Sequence, residues 1–187
     1  ASEATLRRRI VAPPTGQLVA VSPDGELLGA MYTQRVAAYE VLLSARRETE
    51  LELHTPAGPV IQLLGVVQRP GAAVGNTLRN FALLLGRLDA TAECACGVTR
   101  CRAYDPSAGA DYRAHVDAGT DPGLLFHSSA GAAIGELVPG YRPADTVNLG
   151  YGVMICYEFT AEGRKRHSAH SASGGGGIAA RDGGGED

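Results

Sequence analysis

The stretch LELHTPAGPVIQLLGVVQRP, Leu51–Pro70, decides how the chain is read. Two apolar runs flank a Thr-Pro-Ala-Gly bend, in which Pro presets φ for one turn position and Gly supplies the positive φ of another. A look-alike, LLFHSSAGAAIGELVPG, returns at Leu124–Gly140. Gln17–Val21 meets Glu26–Met31 through SPDG, and Cys101–Tyr104 meets Asp111–Val116 through DPSAG. Short apolar or alternating runs punctuated by Gly- and Pro-bearing turns are the mark of β-hairpins. A hairpin cannot bury its apolar face alone, and closing a sheet removes its exposed edges. The expectation is a mostly β fold, an antiparallel closed barrel of hairpin repeats, with at most one or two helices. A β-sandwich built from the same hairpins is the alternative.

Outside these repeats, Val36–Ala45 is a further strand candidate whose alanines leave a helix open. Gly75–Ala90 places Leu78, Phe81, Leu85 and Leu88 at helical spacing, against which Gly86 and the short length argue. Asn148–Phe159 reads as a buried last strand. Residues 1–9 form a flexible basic arm, 10–160 a single β-rich domain, and 161–187 a Gly- and Ser-rich tail without enough apolar surface to fold.

The chain has 187 residues, 44% of them hydrophobic, which is enough for one domain with a real core. A net charge of -3, no Trp and three Phe argue against a broad basic nucleic-acid surface and against base-stacking platforms. No run of eighteen apolar residues offers a spanning helix, and the N-terminus lacks the apolar core of a secretory signal. Four cysteines in a chain of this length do not force a disulfide scaffold, so reduced thiols and an intracellular setting are expected.

SPDGELLG (Ser22–Gly29), ELELHTPAGPVIQLLGVVQRP (Glu50–Pro70), ECACGVTRC (Glu93–Cys101) and AGAAIGELVPGYRPADTVNLGYG (Ala130–Gly152) follow one another in an order that resembles the phospholipid scramblase family. More broadly it resembles the tubby-like and LURP-one-related barrels. The resemblance implies a twelve-stranded barrel around an apolar C-terminal helix, acyl chains (palmitoylation) on Cys94, Cys96 and Cys101, and a calcium segment over Arg142–Gly150. Two departures stand out. Nothing after Phe159 can supply the central helix, and the calcium segment has only Asp145, whereas calcium takes six to eight oxygen ligands.

The residues also allow other chemistry. Zinc takes four tetrahedral ligands, so Cys94, Cys96 and Cys101 need Cys156 or His115 brought in by the fold; otherwise the thiols pack as small hydrophobes. His54 and His127 occupy equivalent places in the repeats, where equal packing is the simpler reason. Ser128 beside His127 lacks a G-x-S-x-G elbow. GAAVGN, Gly71–Asn76, lacks the Lys-Ser/Thr of a phosphate loop. Arg7, Arg8 and Arg9 at one end, and Arg164, Lys165 and Arg166 at the other, suit an anionic phospholipid surface; the second run also suits nuclear import. The functional expectation is a non-enzymatic barrel at anionic membrane lipid, with no certain cofactor and calcium poorly supported. An assembly subunit of a larger complex, and a metal-dependent hydrolase using His54, His115 or His127, are the alternatives.

Overall fold

A computed structural model describes residues 3–11, 16–109 and 111–160. In chain order it comprises α1 (Glu3–Val11), β1 (Gln17–Val21), β2 (Leu27–Val36), β3 (Val60–Gln68), α2 (Gly75–Leu88), β4 (Cys94–Thr99), α3 (Tyr112–Asp117), α4 (Pro122–Ser128), β5 (Ala133–Val138) and β6 (Gly152–Glu158). The strands form one sheet in the order β1-β2-β3-β4-β6-β5. Every neighbouring pair is antiparallel except β3 and β4, which run parallel.

The expected closed barrel, and with it the sandwich, is therefore wrong: the sheet is open, with β1 and β5 at its edges. A parallel pair cannot be joined by a tight turn and needs a long crossover, here α2. Only SPDG makes the expected hairpin, with Gly25 at φ 82 donating to Ser22 and Val21 paired with Leu27. Before TPAG, Glu50–Leu53 is a single 3-10 turn, joined to β2 by one bridge between Val36 and His54.

The other two bends end or begin helices. DPSAG closes in Gly109 at φ 73, and Asp111 then caps α3 by accepting from the amides of Arg113 and Ala114. Asp121 caps α4 by accepting from Gly123, with Pro122 in the first turn. An Asp at the N-cap followed by Pro is a helix start, and it overrides the apolar run that reads as a strand.

Core residues divide between the two faces of the sheet. Met31, Leu63, Ala95, Ile155 and Tyr157 pack under Leu78, Ala82 and Leu83 of α2. Val36, Val60, Cys94, Cys96, Met154 and Cys156 pack on the far side with Leu42, Ala45, Val138 and Tyr141. Strand β6 is buried on both faces and agrees with the buried last strand read from the sequence. The Gly86 that argued against a helix is what lets α2 lie down: a Cβ there would sit 2.6 Å from the Phe159 ring and 2.9 Å from Ile61.

A polar group anchors the far face. Glu50, 1% exposed, accepts from Arg9 of α1 at 3.5 Å, from Tyr141 Oη at 2.7 Å and from Arg47. Gln34 donates to the Glu50 carbonyl and to Gln62 Oε1, both at 2.7 Å. Burial pushes the Glu50 carboxyl up against the lowering pull of Arg47, the Tyr141 hydroxyl and Arg9.

Candidate active site

The parallel ladder joins Val60–Leu63 to Cys94–Gly97 and stops there, although β3 runs on to Gln68 and β4 to Thr99. Past Leu63 and Gly97 the two strands part. The outer side of β3 carries a register shift against Tyr32 and Thr33, with Gly65 at φ 155. A gap at the carboxyl ends of parallel strands is where open α/β sheets receive ligands.

Beyond β3, Gly71 at φ 79 and Ala73 at φ 52 turn the chain into α2. Val74, its N-cap, provides no side-chain cap; Gln68 Oε1 accepts from the Gly75 amide at 2.7 Å, and Asn76 and Thr77 are exposed. The first turn of a helix presents amide donors and the positive end of its dipole, a setting for phosphate. This is the GAAVGN segment, which leads straight into the first turn of α2. The signal was present as a Gly-bearing loop between an apolar strand and residues at helical spacing.

Helix α4 meets the first turns of α2. Arg79, 4% exposed, donates to the Phe126 carbonyl and to Asn80 Oδ1 and lies over the Phe126 ring at 4.5 Å. Next to it His127 Nδ1 lies 2.8 Å from Tyr157 Oη. Desolvation first, then Arg79 and Arg102, hold the imidazole down to about 4 from 6.5, and burial pushes the Tyr157 hydroxyl up. His127 is thus neutral at pH 7. When the phenol donates to Nδ1, the ring proton sits on Nε2.

A second recess, with about 180 Å³ of open volume, lies by the other half of α2, lined by residues including Leu18, Thr33, Ile61, Ala82 and Gly86. It is smaller than the pockets that enclose cofactor-sized ligands.

The remaining predicted residues scatter. Cys94 and Cys96 are buried in β4 with Cys156 of β6 beside them, whereas Cys101 is buried apart, with His115 and Asp121. The Asp121 carboxylate accepts from the amides of Arg102, Ala103 and Gly123 and lies 3.1 Å from His115 Nε2. Desolvation would raise it, but these bonds outweigh burial and hold it below the carboxylate range.

His54 Nδ1 faces the Arg35 carbonyl at 3.2 Å, so the three histidines of the hydrolase reading belong to three separate places. Asp145, the calcium candidate, is taken up by Arg100 at 2.9 Å and by Asn148, and joins no ligand cluster among the described residues. Arg7 pairs with Glu3 within α1, Arg8 is exposed, and Arg9 is buried on Glu50. Arg164, Lys165 and Arg166 lie outside the described residues. Among the described residues no helix is long and apolar enough to cross a membrane.

A split parallel pair with a helix N-terminus at its mouth defines an open α/β fold rather than a lipid barrel. Solved structures share this fold. The chain is 36% identical to the GphF GNAT-like decarboxylase in complex with isobutyryl-CoA, over 86% of each chain, with a TM-score of 0.81. It is 32% identical to the loading GNATL domain of CurA from Lyngbya majuscula, over 85% of this chain and 84% of that one, with a TM-score of 0.78. Chaetomium thermophilum Naa20 in complex with a bisubstrate analogue shares the fold at 13% identity, over 89% of this chain and 78% of that one, with a TM-score of 0.57.

The chain belongs to the GNAT-like family. The scramblase and tubby-like resemblance, and the membrane-lipid function drawn from it, are overturned by these matches. No protein-family model and no curated protein matches the sequence.

Proposed function

We propose that the protein binds an acyl-coenzyme A between β3 and β4 and removes a carboxyl group from its acyl chain. The observation that carries this is the parting of β3 from β4 beside the start of α2, in a chain 36% identical to a decarboxylase bound to isobutyryl-CoA. The pyrophosphate would lie on the first turn of α2, its negative charge facing the dipole. The pantetheine arm would run into the gap, where strand edges offer it amide partners.

Decarboxylation of a 2-carboxyacyl thioester breaks the bond between the α-carbon and the carboxylate. The electron pair moves into the thioester as an enolate, carbon dioxide leaves, and a proton then adds to the α-carbon. A donor at the thioester oxygen lowers this barrier, because negative charge develops there. A neutral imidazole with its proton on Nε2 suits that role, and its low basicity keeps it a hydrogen-bond donor instead of a fixed cation. Apolar surroundings such as Phe126 and Ile155 favour loss of the carboxylate's charge as carbon dioxide.

Isothermal titration with isobutyryl-CoA, and mass spectrometry of malonyl-, methylmalonyl- and 2,2-dimethylmalonyl-CoA incubated with the protein, test the proposal. Saturable binding and conversion of at least one thioester to its decarboxylated form are expected. Absence of both would overturn it. Binding without conversion would favour a second reading, acyl transfer onto a thiol acceptor, for which the 32% identity to a loading domain speaks.

A further inference from the structure

We infer that Cys94, Cys96 and Cys156, with Glu158 as fourth ligand, form a closed structural site for a thiophilic divalent cation of the zinc or cadmium kind. Strands β4 and β6 are antiparallel neighbours in which Cys94 stands opposite Glu158 and Cys96 opposite Cys156. Alternation along each strand places all four side chains on one face, a two-by-two array facing away from α2.

The sulfurs already converge. Cys94 Sγ lies 3.6 Å from Cys96 Sγ, Cys96 Sγ lies 2.9 Å from Cys156 Sγ, and the three lie within 4.8 Å of one another. Glu158 Oε1 is 3.3 Å from Cys156 Sγ. A zinc–sulfur bond of about 2.3 Å puts sulfurs at neighbouring corners of a tetrahedron about 3.8 Å apart. The Cys94–Cys96 spacing meets that value, and Cys156 has to swing by less than ~1 Å about its side chain.

A lone buried cysteine is a small hydrophobe and needs no further explanation. Three thiols in sulfur contact, with a carboxylate reaching one of them, differ in kind. Glu158 acts on Cys156, and Tyr39, which donates to Glu136, neighbours Cys96 and Cys156. Burial, then the bonds to Cys156 and Cys94, push the Cys96 thiol well above its usual range, and the bond to Cys94, then burial, pushes Cys156 up. A divalent cation reverses this balance. Each coordinating thiol gives its proton to solvent as its sulfur binds the metal, and the positive charge offsets the thiolates.

Four protein ligands leave no open position, so the ion would be structural and not catalytic. It would tie β4 to β6 on the face away from His127 and stiffen the β4 wall of the cleft. Nothing in this depends on acyl-coenzyme A.

Anaerobic titration of the reduced, metal-free full chain with Co²⁺ and Cd²⁺ tests the site, read by thiolate-to-metal absorption and by metal content after gel filtration. One equivalent per chain with a thiolate band is expected. The band should be lost in Cys96→Ala and in Cys156→Val and kept in Cys101→Ala, with circular dichroism confirming that each variant is folded. Zn²⁺ should also raise the wild-type melting temperature. A wild-type chain with no thiolate band overturns the inference, whatever the variants do. So does a band that survives Cys96→Ala, or one that vanishes in Cys101→Ala, which would move the metal to Cys101, His115 and Asp121.

Discussion

His127 shows how one side chain takes on two duties. It lies against Tyr157 and is denied a proton by burial and by two arginines. The unfolded chain protonates this residue below pH 6.5, and the folded chain does so only near pH 4. The unfolded state therefore binds more protons in that window, and stability falls as the pH drops through it. About 2 kcal/mol should be lost by pH 5, rising to about 3 kcal/mol below pH 4. His127→Gln keeps hydrogen-bonding capacity without titrating, so urea unfolding at pH 7.5 and pH 5 should show a flatter pH dependence by that amount. An unchanged slope would mean that the imidazole is solvated. The same variant should lose most of any decarboxylation while retaining isobutyryl-CoA binding. The sequence offered His127 next to Ser128 and Gly131, which reads as one arm of a hairpin. What it also offered, and what decides the matter, is Asp121-Pro122 six residues earlier, a helix start that makes the whole run α4.

At the scale of elements, α2 was half legible. Leu78 fell on the buried face as its spacing predicts, but Phe81, Leu84, Leu85 and Leu88 are exposed; the face against the sheet is Leu78, Arg79, Ala82, Leu83 and Gly86. Periodicity gave the helix and mistook its inner side. Gly86 and Arg79 break the apolar pattern because one lets Phe159 and Ile61 come close and the other serves Phe126. The start of α2 also separates binding from folding. Asn76→Asp places a carboxylate in the first turn, where it should stabilise the free protein by about 0.3–1 kcal/mol through the dipole. The same charge would face the pyrophosphate, so isobutyryl-CoA affinity should fall at least ~10-fold, about 1.4 kcal/mol, and most strongly at low salt. Paired thermal melts and titrations decide this. Weaker binding together with weaker folding would point to a damaged helix and not to phosphate recognition.

For the whole molecule, local turn chemistry could not distinguish a hairpin from a strand–helix junction, because Gly and Pro punctuate both. SPDG and SSAG look alike as sequences, yet Ser22–Gly25 joins two paired strands and Ser128–Gly131 leaves a helix. Nor does a sequence announce that β3 and β4 are parallel and that β1 and β5 end the sheet, which together exclude the antiparallel barrel. The cleft is assembled from the consecutive β3, α2 and β4 together with the later α4, which meet only in the folded state, so binding there and global stability must be linked. Isobutyryl-CoA at a hundredfold excess over its Kd should add about 2.7 kcal/mol. For a chain of this size that raises the melting temperature by about 5–10 °C in a single transition. Hydrogen exchange locates the effect: the first turn of α2 and the amides of Val98 and Thr99 should slow, while β1 should not. Protection confined to Leu18, Thr33 and the second half of α2 would place the ligand in the smaller recess and sink the cleft assignment.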